Sequence, residues 1–150
     1  MTIESIVQWF NTAKPEPTNQ DLVKQIAFCV EEFTEMLEAI RCDFMVGQMK
    51  TLKAELMSIS DDRGACDHYV ANFDKVALLD ALCDQVVTAT GVGVFMGAKF
   101  IPALEEVNAS NYTKFKPYDG GYLPYIRPDG KIGKNPETYK EPELAQFLGD

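Results

Sequence analysis

At 150 residues, 46% hydrophobic and 25% charged, the chain has the length and composition of one globular domain, not of a disordered or fibrous protein. No uninterrupted apolar run reaches the roughly 18 residues of a membrane span. The richest stretch, 86–101, is broken by Thr88, Thr90 and Lys99, and MTIESIVQWF lacks the basic start of a signal peptide, so a cytoplasmic location is expected. The net charge of −9 is uneven: residues 1–106 hold 17 acids against 8 bases, whereas residues 107–150 hold 6 of each. An acidic body disfavours nucleic-acid backbones and suits divalent cations.

The predicted elements are mostly helical. A short amphipathic helix over 5–10 ends at the two prolines of NTAKPEPTNQ, after which Thr18, Asn19 and Asp21 are candidate N-caps. Val23, Ile26, Val30, Phe33, Leu37 and Ile40 recur at helical spacing and predict a long helix from Asp21 to about Val46, interrupted at Gly47. A shorter helix follows over 49–59, then a turn-rich connector, SISDDRGACD. Residues 68–100 read as one long helix whose Gly91, Gly93 and Gly97 point to close helix contact. Pro102 opens a further short helix, and the turn-rich segment after Lys116 holds at most one hairpin and a last helical turn. The expected fold is all-α, a four-helix-type bundle with an irregular C-terminal tail.

Cys29, Cys42, Cys66 and Cys83 form no CxxC pair and read as free thiols; His68, the only histidine, reads as a surface residue in the polar connector. The sharpest local feature is EEFTEMLE. Glu31, Glu35 and Glu38 share a narrow sector of the helix, with Glu32 about 100° from Glu31. Like charges at i, i+4 repel, so helix stability does not ask for this cluster, and bound magnesium would relieve it. A solvated acidic face opposite Phe33, Leu37 and Ile40 fits the same pattern. Asp80 and Asp84, spaced i, i+4 among apolar residues, add a second acid pair on another helix.

EExxE, then DALCD, then EVNASNYTKF and DGKIGKNPETYKEPEL together resemble the all-α nucleoside triphosphate pyrophosphohydrolases, the MazG-like enzymes and their relative phosphoribosyl-ATP pyrophosphohydrolase. The tail is most similar to small, often phage-encoded members, and the resemblance covers about residues 20–145. It implies one domain over 1–150, with a helical core over about 20–115 and a substrate-contacting tail over about 107–150. It also implies that Glu31, Glu32, Glu35 and Asp84 are catalytic and hold Mg2+, or Mn2+ in its place. Asp80 would be a further metal ligand, because Ala81 stands where the family's second motif has its first acid. Trp9, Asn108, Asn111, Lys114, Lys131, Lys134 and Tyr139 would contact the nucleotide, and Phe10 and Tyr112 are further aromatics that could stack on a base. Glu38 matches no required position. The implied activity converts a (d)NTP, a purine deoxynucleotide in the first instance, into monophosphate and pyrophosphate within a homodimer or homotetramer. The rivals are hydrolysis of phosphoribosyl-ATP, and a non-catalytic acidic helical protein that binds a partner or regulates as a dimer.

Overall fold

The computed structural model describes residues 3–149. In chain order the elements are α1 (Ile3–Ala13), α2 (Asn19–Ala39), α3 (Asp43–Asp61), α4 (Arg63–Ala71), α5 (Lys75–Phe95) and α6 (Phe100–Tyr112). They are followed by β1 (Phe115–Tyr118), β2 (Gly121–Pro124) and a 3-10 turn at Ala145–Phe147. The protein is mostly helical with one small antiparallel hairpin. Two compact units divide it. One comprises Glu16–Phe73 and Pro128–Lys131; the other comprises Met1–Pro15, Asp74–Arg127 and Ile132–Asp150.

The first of these units is built on α2, α3 and α4. Thr18 starts α2 with a capping box: its side chain accepts from the Asp21 amide, and its own amide donates to the Asp21 carboxylate. The core joins Val23 and Ala27 of α2 to Leu56 of α3 and to Cys66 and Val70 of α4. Burial pushes the Cys66 thiol up, so it stays protonated, as a structural cysteine should. All four thiols are free.

The predicted helix to Val46 ends sooner, and not at Gly47. That glycine lies inside α3 with open space around its missing side chain. The break is at Ile40–Cys42. The Arg41 amide donates to Glu38 and the Cys42 amide to Leu37, while Arg41 takes φ 62°. This is the two-bond C-terminal cap usually completed by glycine. It turns α3 back onto α2, so the apolar sides of both helices are buried at once. A left-handed non-glycine residue costs about 1 kcal/mol. Arg41→Gly is therefore expected to raise unfolding stability by about that amount, read from urea or thermal melts.

The predicted helix over 68–100 is likewise two helices, and the predicted connector is largely helical. Asp62 caps α4 by accepting from the Ala65 amide, and Asp74 caps α5 by accepting from Val76 and Ala77. Sequence reading named neither aspartate as an N-cap; at Asp74 the cap outweighs the apolar period that runs across it. His68 lies exposed on α4.

In the other unit, the three glycines of 91–97 have three different settings. Gly97, at φ 72°, caps α5: its amide donates to Val94 and the Ala98 amide to Gly93. Gly93 is buried, and a Cβ there would collide with the ring of Phe100. Gly91 faces open space. Gly93→Ala is expected to destabilise the α5–α6 corner by about 1–3 kcal/mol, whereas Gly91→Ala should stabilise the helix. Paired thermal melts of the two variants check this.

The N-terminal helix closes the same unit. Trp9, Ala13 and Phe115 form its buried cluster, with Tyr112 and Ile132 against it. The hairpin pairs Phe115 with Pro124 and Tyr118 with Gly121 around Asp119–Gly120, where Gly120 has φ 118°.

Candidate functional site

The buried stripe of α2 fixes where its acids point. Val23, Ala27, Thr34 and Leu37 are buried, whereas Phe33 and Ile40 are exposed. The helix is therefore rotated from the expected Phe33–Leu37–Ile40 stripe; Glu31 and Glu38 lie beside α3, and Glu35 is exposed. Two lysines of α3 meet Glu31 and Glu38. Lys53 Nζ lies 2.9 Å from Glu31 Oε1, and Lys50 Nζ lies 2.9 Å from Glu38 Oε1. Sequence reasoning missed both, although Lys50 and Lys53 are spaced i, i+3 and so share one side of a helix.

A third cation comes from the tail. In the Pro128–Lys131 turn the Lys131 amide donates to the Asp129 side chain, and Gly130 takes φ 86°. A side chain at Gly130 would sit 3.2 Å from Lys24 Cδ, so the turn lies close on α2. Lys131 Nζ reaches Glu31 Oε2 at 2.9 Å and Glu32 Oε1 at 3.5 Å, with the Phe28 ring centroid 5.4 Å away. Burial alone would raise the pKa of the Glu31 carboxyl, but hydrogen bonds and charges from Lys131 and Lys53 outweigh it and hold the pKa below the usual value. Burial also opposes the charge on Lys131. Its bond to Glu31 and the charges of Glu31 and Glu32 prevail, holding its pKa above the ordinary lysine range.

Glu32 and Glu35 are exposed, and Glu35 makes no ion pair among the described residues. Among those residues no three His, Cys, Asp or Glu side chains converge on one cation position. The donor chemistry nevertheless fits magnesium, which is commonly held by one or two carboxylates with waters and substrate phosphates, not by a closed protein cage. Glu31, with two oxygens each on a different ammonium, already binds positive charge from two directions.

Asp80 and Asp84 lie exposed on α5, in the other unit. Trp9 and Asn108 are packed into that unit. Trp9 is buried, stacked on Phe115 at 5.4 Å and edge-on to Phe10, and its Nε1 donates to the Asn111 carbonyl oxygen. Asn108 is buried and its Nδ2 donates to Ser5 Oγ, while Tyr112 donates to the Ser5 carbonyl oxygen. Lys114 Nζ lies 5.8 Å from the Trp9 ring centre. These groups seat α1 on α6 and β1, a contact spanning about a hundred residues that no local spacing announces. Asn111 is half-buried, and Lys134 Nζ stands 4.7 Å over the Tyr139 ring and 3.4 Å from Glu141 Oε1.

Comparison of the chain with family models, with curated proteins and with solved structures gives no match in any of the three.

Proposed function

We propose that the chain is a magnesium-dependent nucleoside triphosphate pyrophosphohydrolase of the MazG-like kind, active as a homo-oligomer on a deoxynucleotide. The observation that carries the reading is the acidic rim of α2 with the tail's Lys131 on it: carboxylates suited to a hard cation stand beside an ammonium suited to a phosphate.

In this reading Glu31, Glu32 and Glu35 are the carboxylates offered to magnesium, one or two of which would hold it together with waters and substrate phosphates; when bound, the ion would supply Lewis acidity and a water of lowered pKa. Lys131 neutralises phosphate charge once a triphosphate competes for it, and its pairing with Glu31 keeps it charged and aimed beforehand. In the other unit the resemblance assigns nucleotide contact to Asn111, Lys114, Lys134 and Tyr139, and a metal-binding role to Asp80 and Asp84. The resemblance assigns nucleotide contact to Trp9 and Asn108 as well, both of which are buried and hydrogen-bonded in that unit.

A second reading rests on the same ion pairs. Glu31 and Glu38 with Lys53, Lys50 and Lys131 make an ionic seam that ties α3 and the Pro128–Lys131 turn to α2, as a non-catalytic acidic helical protein would need. A panel of common NTPs and dNTPs, with magnesium and with excess chelator, separates the two. The hydrolase releases pyrophosphate, not phosphate, and only with the metal. No pyrophosphate from any member of the panel leaves the seam.

A further inference from the structure

One nitrogen holds two carboxylates of α2. Lys131 Nζ stands 2.9 Å from Glu31 Oε2 and 3.5 Å from Glu32 Oε1, while Lys53 takes the other Glu31 oxygen at 2.9 Å. Both oxygens of Glu31 therefore face an ammonium already, and Glu31 and Glu32 share the one that the Pro128–Lys131 turn brings. That turn belongs to the same compact unit as α2 and α3, so the contact lies within one unit.

The two lysines are mounted differently. Lys53 is carried by α3, and its ammonium can leave Glu31 with no movement of the backbone. Lys131 ends a short turn, closed by the bond from its own amide to the Asp129 side chain and by Gly130 at φ 86°. Its side chain passes over the Phe28 ring, with Nζ 5.4 Å from the ring centre. Such a turn can lift from α2 without breaking a helix hydrogen bond, and segments of this kind open at the least cost.

An ammonium and a divalent ion on the same two carboxylates repel at close range, so the two do not share them. We infer that Lys131 is a resident counterion that a divalent cation displaces from Glu31 and Glu32, and that its displacement frees the Pro128–Lys131 turn from α2. Without the cation the contact is autoinhibitory, because it occupies both acids and keeps the lysine from any anion. With the cation bound, the same ammonium is released beside it and is open to a phosphate oxygen. The cation thus loads first and a polyphosphate second. By linkage, an anion that captures Lys131 tightens cation binding by the same factor as the cation tightens the anion. The inference rests on the reading of Glu31 and Glu32 as cation ligands and not on hydrolysis.

The probe is Mn2+ alone, added to the full chain with no nucleotide present. Free Mn2+ is read by electron paramagnetic resonance, and amide exchange over residues 126–133 by mass spectrometry. In the wild type Mn2+ should speed that exchange severalfold. Lys131→Met, which keeps most of the stem and drops the charge, should bind Mn2+ about tenfold more tightly and exchange fast with or without the metal. Lys131→Arg should bind no more tightly than the wild type and keep the metal-dependent change. Lys50→Met loses the same charge beside Glu38 and should match the wild type in both readings. Glu31→Gln with Glu32→Gln should abolish the metal-dependent change. If neither the wild type nor Lys131→Met binds Mn2+, the cation reading of Glu31 and Glu32 fails and the displacement fails with it. Tight Mn2+ binding with unchanged exchange over 126–133 overturns the displacement alone and leaves the cation reading standing. So does equal tightening in Lys50→Met, which marks long-range charge, and so does a metal-dependent change that survives the double glutamine variant. A Lys131→Met chain that loses helix content is replaced by Lys131→Gln, for which the same two results are required.

Discussion

Glu32→Gln and Glu35→Gln are each expected to lower magnesium-dependent pyrophosphate release by at least about a hundredfold, the scale of losing one electrostatic element of a transition state. These two positions isolate chemistry from stability. Both side chains are exposed, Glu35 has no ion pair among the described residues, and Glu32 only a long one to Lys131. Melting temperatures should therefore stay within a degree or two, because removing like charges at i, i+4 offsets what little is lost. Glu31→Gln is a poorer probe, since it leaves Lys53 and Lys131 without their shared carboxylate and costs stability as well. Asp84→Asn should match the glutamine variants in turnover. Asp80→Asn compared with it shows whether one or both acids of α5 serve. Normal hydrolysis by Glu32→Gln and Glu35→Gln would leave the rim of α2 as a structural seam.

The helices were legible because their causes are local. The capping box of Thr18 and Asp21, the apolar spacing of 23–37 and the prolines after α1 act within a few residues, and the structure follows them. The errors came where a tertiary gain overrode a local pattern. The period from Asp21 to Val46 continues smoothly through Arg41, yet folding α3 back on α2 buries Leu56 against Val23 and Ala27, which outweighs a strained residue in the turn. The same choice rotated α2, so that Phe33 and Ile40 left the core and Glu31 and Glu38 came to lie beside α3. The acid motif itself was readable from spacing. Its cations were not, because Lys53 and Lys131 reach Glu31 from 22 and 100 positions away along the chain. The packing of Trp9 and Asn108 was not legible either. An aromatic and an amide are equally suited to a base and to a neighbouring helix, and only the contact with Ser5, Asn111 and Phe115 decides between them.

Lys131→Ala is expected to have the second large effect, and its pH dependence carries the argument. In the wild type the Glu31 pKa is lowered in the folded state, so its contribution is present above the unfolded carboxylate value, about 4.3, and is lost as pH falls through the folded value. The Lys131 pKa is raised, so its contribution is present below the ordinary lysine value, about 10.4, and is lost as pH rises through the folded value. Removing the ammonium shortens both limbs: the variant should lose less stability than the wild type on going from neutral pH to pH about 3, and less on going to pH about 11. At neutral pH the loss is expected to be about 1 kcal/mol, modest because both groups keep contact with solvent. In the hydrolase reading the same change raises KM for the triphosphate by about tenfold or more, because an ammonium that would face phosphate oxygens is gone. It weakens monophosphate product binding less, since that product carries fewer charges. Manganese binding followed by electron paramagnetic resonance should tighten, because Lys131 no longer competes for the Glu31 carboxylate. A variant with the shortened pH limbs but unaltered KM and manganese affinity would mean that Lys131 holds the Pro128–Lys131 turn to α2 and nothing more.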